Sequence, residues 1–321
     1  MSFAQRFTLV LFAAFFISSV ATSLAAFGFA SWLRARTAVV TSRQAGALAL
    51  YRLMPALAAL AITALVLGPG YFEHEQRTEA EGSGYALIAL ALGGLFILGA
   101  SCARVVRSIV RTSRLKRAWL AEGRPVDVPG ARMPAFELDL PFPLVAVLGV
   151  ARPRLFISRV VLGACSSTEL AAIVEHERAH VLRRDNAVRL MMDAAPDLLG
   201  LTRVPRALAG AWHQAVEQRA DDAATRRLDL ASALVKVARI ATASPAMELP
   251  ASALYRGEGK ELVSARVRRL VGADSDSRPR WVTTVTGSAI ALGALVFAAA
   301  LTGATSRAAH ALLEVAVSVL P

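Results

Sequence analysis

The chain contains little cysteine and little charge. Its 321 residues include two cysteines, Cys102 and Cys165, which are too few for a disulfide framework, and we expect both to be small buried residues. Charged residues make up 19% of the chain and hydrophobic residues 55%, so it is more apolar than an average soluble domain. This composition indicates a membrane protein with a modest soluble part.

Acidic residues are scarce relative to basic ones, and the formal net charge is +12. A positive excess of this kind also occurs in proteins that bind nucleic acids. The sequence has no nucleic-acid recognition motif and no stripe of basic and aromatic residues, so we predict no direct contact with nucleic acid. It also has no internal repeat and no low-complexity tract. The basic residues follow the hydrophobic runs, which gives a better explanation of the charge.

Four hydrophobic runs are long enough to cross a bilayer, which takes about 20 apolar residues. The first lacks the short, well-bounded apolar region of a cleaved signal peptide, and we interpret it as an uncleaved span. Arg52, at the edge of the second run, is expected to extend toward the headgroups. Trp281 is expected to mark the interface at the fourth. The runs cover residues 7–33, 53–72, 85–106 and 281–304.

The loop charges predict how these spans are oriented. The first loop carries arginines and no acidic residue, whereas the second carries four glutamates and Arg77 alone. Basic residues cluster again after the third run and before the fourth. Since cytoplasmic loops are enriched in Lys and Arg, we expect a multi-pass inner-membrane protein whose amino terminus faces outward. Residues 107–280 would then be cytoplasmic, 305–321 would form a short extracytoplasmic tail, and the basic residues would also be drawn to anionic lipid.

The cytoplasmic segment is predicted to fold as one α+β domain. Two short β-branched runs, 144–150 and 155–161, indicate a hairpin or a close strand pair. Ser166, with Glu169 three residues later, forms a capping-box pattern that predicts the start of an apolar helix. The fold class is therefore mainly α, with four transmembrane helices and this domain between the third and fourth. Further helical patterns occur at 186–201, 204–228, 229–241 and 262–271.

The letters "HERAH" place two histidines on one helical face. His176 and His180 are four residues apart, so both imidazoles can reach one zinc ion. Glu177 lies one residue round the helix, beside the metal, where it can accept a proton from the attacking water. Two ligands are too few, because a catalytic zinc site has three protein ligands and one open position.

The letters "EQRADDA" offer the third ligand on a later helix. Glu217 and Asp221 also share a face, and Glu217 would complete a His₂Glu site. Asp221 can accept a hydrogen bond from the free ring nitrogen of one histidine. Asp185 is a further candidate, either for contacting a metal-binding residue from the side away from the metal or for helix packing.

Each of these residues has a simpler interpretation. An HExxH pattern arises by chance fairly often, and Glu217 could belong to a solvated helix face. The context favours zinc, because two of only five histidines form the motif, and a carboxylate pair at helical spacing follows about forty residues later. His213 is expected at the surface or behind the ligands, and His74 and His310 have no partner at ligand spacing. Tyr255, Arg239 and His213 are the candidates for a group that stabilises the oxyanion.

The stretch "ELAAIVEHERAHVLRRDN", preceded by "GVARPRLFISRVVL" and followed by "EQRADDA", resembles the integral-membrane zinc peptidases of the BlaR/MecR antirepressor type. Three spans before a cytoplasmic gluzincin domain and one after it are also similar to that family. The resemblance implies one zinc ion per chain, held by His176, His180 and Glu217, with Glu177 as general base. It further implies that residues 144–150 or a neighbouring strand pair with the substrate backbone. The implied role is signal transduction by cleavage of a cytoplasmic regulator such as a transcriptional repressor.

The sequence departs from the sensor-transducers of that family after the last span. Those proteins carry a large extracellular penicillin-binding domain there, whereas about 17 residues follow residue 304 here, so we expect a sensorless member. HtpX-type quality-control proteases share an HExxH and a later ExxxD. They typically have two spans before the motif and further spans within the metal domain, which makes them the second interpretation. A non-catalytic membrane signalling protein with a retained metal site is the third.

Overall fold

The computed structural model describes residues 2–34, 41–69, 71, 84–201, 204–243 and 260–272. The predicted fourth span, the tail and most of the acidic outer loop lie outside these ranges, as do Tyr255, His74, Trp281 and His310. Within the described ranges the chain is mostly helical and contains one small sheet.

Three helices among the described residues are long and apolar enough to cross a membrane. Helix α3 has 38 residues and is therefore about 57 Å long, nearly twice the ~30 Å thickness of the hydrocarbon core. Its second half thus extends well beyond the apolar part as a basic helix. The three are α1 (Phe3–Arg34), α2 (Ala45–Ile62, continued by a π-helical turn at Thr63–Leu67) and α3 (Tyr85–Glu122).

Helices α1 and α3 approach each other closely at two glycines. A Cβ atom added at Gly94 would lie 2.2 Å from the carbonyl oxygen of Phe12, and one at Gly93 would lie 2.8 Å from the ring of Phe16. Small residues allow helices to associate in this way in membranes. Helix α2 packs against α1 as well, so the three helices form one bundle.

The soluble part contains a four-stranded sheet in the order β1-β2-β4-β3. Strands β3 and β4 are antiparallel, with Val145 opposite Ile157, which confirms the predicted pairing. The second run ends as a strand at Ser158, however, and residues 159–161 belong to a helix. Strand β2 runs parallel to β4 and antiparallel to β1, and the sequence patterns did not predict strands β1 and β2. The strands are β1 (Arg124–Pro125), β2 (Ala135–Leu138), β3 (Val145–Leu148) and β4 (Arg154–Ser158).

Six α-helices follow the sheet within the described residues. The sheet, α5 and α8 share the main hydrophobic core, in which Leu155, Ile173 and Leu230 are completely buried. A 3₁₀ turn at Leu198–Leu201 follows α6. The helices are α4 (Arg159–Ala164), α5 (Ser167–Leu182), α6 (Asp185–Ala194), α7 (Val204–Ala223), α8 (Arg227–Ala243) and α9 (Lys260–Val271).

The predicted capping box at the start of α5 is confirmed. The Ser166 hydroxyl accepts a hydrogen bond from the backbone of Glu169, and the Glu169 carboxylate accepts one from the backbone of Ser166. The same carboxylate also accepts hydrogen bonds from Ser232 and Lys236 on α8. Glu169 therefore both caps α5 and joins it to α8.

Helix α7 has two buried faces. Trp212, Ala215 and Val216 pack in one cluster with the first turns of α2. Glu217 and Asp221 contact α5 instead. The helix thus connects the membrane bundle to the rest of the soluble part.

Two expectations about the membrane region are wrong. Arg52 does not extend to the headgroups, because α2 begins at Ala45 rather than near residue 53, and Arg52 lies within the helix. It is 2% exposed, and its Nη1 lies 2.5 Å from Oδ2 of Asp197. Cys102 is exposed on the outer face of α3 rather than buried, whereas Cys165 is buried as expected.

Candidate metal centre

Helix α5 positions the three residues of the HExxH motif. His176 and Glu177 are buried, and the His180 side chain is 16% exposed. The Nε2 atoms of the two imidazoles lie 3.2 Å apart. Both nitrogens therefore point toward the same place, as their i, i+4 spacing predicts.

Helix α7 brings the Glu217 carboxylate to the same place. Its Oε2 lies 3.3 Å from Nε2 of His176, and its Oε1 lies 3.6 Å from Nε2 of His180. Ligands at 2.0–2.1 Å from a tetrahedral zinc ion are about 3.4 Å from one another. The three donor groups are thus spaced as ligands of one such ion would be.

A second carboxylate lies behind each imidazole. Nδ1 of His180 and Oδ2 of Asp185 are hydrogen-bonded at 2.9 Å. Nδ1 of His176 is 3.0 Å from Oδ1 of Asp221, at hydrogen-bond distance but not in hydrogen-bond alignment. A carboxylate at Nδ1 favours the tautomer with the proton on that nitrogen, which leaves Nε2 free to bind a metal.

A left-handed residue brings Asp185 to its position. Arg184, between α5 and α6, has φ 55° and ψ 38°, a conformation that residues other than glycine adopt uncommonly. It ends α5 and turns the chain so that Asp185, the first residue of α6, returns to His180 on the last turn of α5. The sequence distance of five residues did not by itself specify this contact.

Two arginines complete the surroundings, and sequence reasoning missed both. Arg266 on α9 binds Asp221 through Nε and Nη2, and its Nη1 lies 3.2 Å from Oε2 of Glu217. Arg219 on α7 donates a hydrogen bond to Asp185 at 2.7 Å. One signal was available for Arg266, because it lies between Val263 and Leu270 on the buried face of an amphipathic helix, where a charged residue is unusual.

The charges of the site call for a cation. With all four ionised and both imidazoles neutral, as metal binding requires, the buried carboxylates of Glu177, Asp185, Glu217 and Asp221 exceed the two guanidiniums by two negative charges. Oε2 of Glu217 is buried and makes no hydrogen bond, although Arg266 and His176 lie at ion-pair distance from it. Buried charges require compensation, so a divalent ion fits both the donor set and the charge.

The pKa shifts of the site reflect the same concentration of buried negative charge. Burial opposes the charged form of His176, but the carboxylates of Asp221 and Glu217 outweigh burial and raise its pKa to about 10. Burial raises the pKa of Glu177 to about 7, against the lowering effect of His180 and His176. Burial also opposes the charged form of Glu217, yet Arg266 and the histidines hold the pKa of Glu217 well below its usual range.

The oxyanion candidates have different positions. Nδ1 of His213 lies 3.6 Å from Oε1 of Glu217, so this residue is beside the donor groups rather than at the surface. Arg239 is exposed on α8, and among the described contacts none joins its side chain to the donor groups. Tyr255 lies outside the described residues.

Strand β3 is an edge of the sheet next to α5. Ser158 donates a backbone hydrogen bond to Leu144, so residues 144, 146 and 148 bond to β4 and the backbone groups of Val145 and Val147 point away from it. The side-chain amide of Asn186 donates hydrogen bonds to the carbonyl oxygens of Val147 and Gly149. The outward edge at Val145 is thus positioned beside the helix that carries the HExxH motif.

Two histidines and a glutamate around one point, with a buried glutamate next to the first histidine, form the donor set of zinc metallopeptidases of the His₂Glu type. Residues 147–254 match the model of peptidase family M48. This match covers the segment from β3 past α8 and supports a metallopeptidase of that family. No curated protein gives a significant match to the chain.

Proposed function

We propose that the protein is a membrane-bound zinc endopeptidase with one zinc ion per chain. The observation that carries the proposal is the spacing of 3.2–3.6 Å among the donor atoms of His176, His180 and Glu217. The match to peptidase family M48 supports the same class. Zinc in this centre would supply a Lewis acid that polarises the scissile carbonyl and activates a water molecule.

Glu177 is the proposed general base. Glu177 follows the proposed ligand His176 on α5, is 3% exposed, and interacts electrostatically with His180, His176 and Glu217; a carboxylate beside a metal can accept a proton from the attacking water. Glu177 would take the proton from the attacking water and pass it to the leaving amine. Asp185 and Asp221 would hold the two imidazoles in orientation throughout.

The outward edge of β3 is the proposed binding position for substrate. An extended peptide can add to a sheet edge through backbone hydrogen bonds, which do not depend on its sequence. The backbone groups of Val145 face that edge. A peptide bound there would lie next to α5, the helix that carries Glu177.

The bilayer is the proposed location of the three apolar helices, with the centre on the cytoplasmic side of the inner membrane. The basic residues of α3 beyond Val106 and the arginines before α2 support this orientation by the positive-inside rule. The resemblance to BlaR/MecR antirepressors supports a cytoplasmic regulator, such as a transcriptional repressor, as the substrate. Broad cleavage of damaged membrane proteins is the alternative.

The general base can be tested in the full chain purified in detergent. Glu177→Gln should retain one zinc per chain and lose cleavage of a casein-type substrate by about 10²–10⁴-fold, the usual contribution of a general base. Glu175→Gln is the matched control, because Glu175 lies two residues away on α5 and bonds only to Thr225 and Arg226 among the contacts described. Full cleavage by Glu177→Gln, or zinc binding without cleavage by the unaltered protein, would refute the proposal.

The substrate class can be tested in cells that produce either the unaltered protein or Glu177→Gln. New protein termini that depend on Glu177 should fall on one or a few cytoplasmic regulators. Termini spread over many membrane proteins would support the quality-control alternative instead.

A further inference from the structure

We propose that Arg266 and Arg219 are positioning residues of the metal centre, each holding the carboxylate that orients one of the two imidazoles. The inference rests on the proposed zinc site. In each half of the centre an arginine holds a carboxylate that lies behind one imidazole. The two series of contacts are His176–Asp221–Arg266 and His180–Asp185–Arg219. Arg266 is the more important of the two arginines.

Arg266 uses all three of its guanidinium nitrogens at the centre. Nε lies 2.9 Å from Oδ2 of Asp221, Nη2 lies 2.7 Å from Oδ1 of the same carboxylate, and Nη1 lies 3.2 Å from Oε2 of Glu217. The residue is 6% exposed. One planar group is therefore hydrogen-bonded to the carboxylate behind His176 and in ion-pair contact with the proposed third ligand.

This geometry requires arginine rather than any cation. A guanidinium presents its donors in a rigid plane and can bind a carboxylate through two parallel hydrogen bonds. A lysine ammonium is a compact charge on a flexible stem and cannot hold both oxygens of Asp221 while also reaching Glu217. Replacing Arg266 with lysine thus preserves the charge and removes the positioning.

Arg219 belongs to the weaker of the two series of contacts. Its Nη2 lies 2.7 Å from Oδ1 of Asp185, whose other oxygen is 2.9 Å from Nδ1 of His180. The Arg219 side chain is 29% exposed. It reaches one carboxylate and contacts no proposed ligand directly, so its loss should be partly compensated by water.

The expected consequence is a change in zinc affinity. Groups that hold the ligands from behind typically contribute a factor of about 10–100 to metal affinity or activity. Without the Arg266 fork, Glu217 and Asp221 would repel each other and the His176 ring would lose its fixed orientation. We therefore expect a large effect at Arg266 and a smaller one at Arg219.

Arg269 offers a matched control on the same pair of helices. It joins α9 to α7 through Asp222, with Nη1 bonded to the backbone of Gln218 and Nη2 2.6 Å from the carboxylate. Asp222 contacts neither imidazole among the described contacts. Arg269→Lys thus tests the docking of α9 on α7 without touching the centre.

The experiment measures the zinc dissociation constant of the full chain in detergent by competition with a chromophoric chelator. Thermal unfolding of the zinc-free protein is measured in parallel. Relative to the unaltered protein, Arg266→Lys should weaken zinc binding by about 10–100-fold, Arg219→Lys by less, and Arg269→Lys not measurably. The zinc-free melting temperatures of Arg266→Lys and Arg269→Lys should be similar. If Arg266 had a purely structural role, its weaker zinc binding would instead be accompanied by a lower zinc-free melting temperature.

The outcomes separate this inference from the function on which it rests. Absence of stoichiometric zinc from the unaltered protein would overturn the proposed metal site itself. Zinc bound normally by the unaltered protein and equally tightly by Arg266→Lys, or weakened equally by Arg269→Lys, would overturn only the positioning role. If Arg266→Lys does not fold, the double variant Asp221→Asn/Arg266→Gln removes the buried charge pair together, and it should show the same 10–100-fold loss. Unchanged affinity in that double variant would also overturn the proposal.

Discussion

Replacing Asp197 with leucine should destabilise the protein strongly, because it leaves Arg52 buried without its partner. The two side chains are 3% and 0% exposed, with Nη1 of Arg52 2.5 Å from Oδ2 of Asp197. The other oxygen of Asp197 accepts a hydrogen bond from the backbone of Gly200. The pair joins transmembrane helix α2 to the turn that follows α6.

The size of the effect follows from the burial of both partners. Removing one member of a buried ion pair costs about 3–5 kcal/mol, since the remaining charge stays desolvated, whereas replacing both with apolar residues of similar volume is often neutral or stabilising. At about 2–4 °C per kcal/mol, Asp197→Leu should lower the melting temperature by roughly 6–20 °C. The double variant Arg52→Met/Asp197→Leu should recover most of that loss.

Thermal unfolding of the full chain in detergent and in lipid nanodiscs would measure both variants together with Arg52→Met, completing a double-mutant cycle. Arg159→Gln is the control for an exposed ion pair, because its side chain is 49% exposed while contacting Glu137 and Asp139. Such pairs contribute about 0–1 kcal/mol. A loss for Asp197→Leu no larger than that for Arg159→Gln, or no recovery in the double variant, would refute the reasoning.

Three further predictions concern stability. Burial alone would raise the pKa of Glu169, but hydrogen bonds from α8 and from the helix start lower it to about 2 from 4.5. The stability that the Glu169 carboxylate contributes is therefore fully present above pH 4.5 and is lost as the pH falls toward 2. Glu169→Gln should thus cost about 1–3 kcal/mol in urea unfolding at pH 7 and less at pH 3, and an equal cost at both would contradict this. Gly94→Val should separate α1 from α3 at Phe12 and lower the melting temperature, whereas Gly99→Ala, with open space around its Cβ position, should not; equal melting temperatures would contradict the close packing. Adding zinc at about 1,000 times its dissociation constant should stabilise the unaltered protein by about 4 kcal/mol, and an equal shift in His176→Ala would place the metal elsewhere.

Sequence patterns predicted the features that are determined by residues close together in the chain. The i, i+4 spacing within HERAH is sufficient to bring His176 and His180 together, because the helix itself sets their relation. The Ser166 and Glu169 pattern defined the start of that helix for the same reason. The hairpin of β3 and β4 followed from two β-branched runs with a short connection.

Contacts between distant elements were harder to anticipate. The pairing of Arg266 with Asp221 depends on how α9 packs against α7, and 45 residues separate the two in the chain. Strand β2 is only four residues long, which is too short for a distinctive alternating pattern, and it pairs with both β1 and β4. Arg52 looked like an interfacial residue because hydropathy alone cannot show that a later turn supplies Asp197.

The two-sided burial of α7 has a practical consequence for separating the parts of this protein. The residue just before Glu217 is Val216, which together with Trp212 lies against the first turns of α2. A fragment starting at residue 107 would leave that hydrophobic surface uncovered and the last proposed ligand on an unsupported helix. The two parts are for this reason expected to fold as a single cooperative unit, and a fragment separated from the apolar helices is expected to lose the proposed metal site.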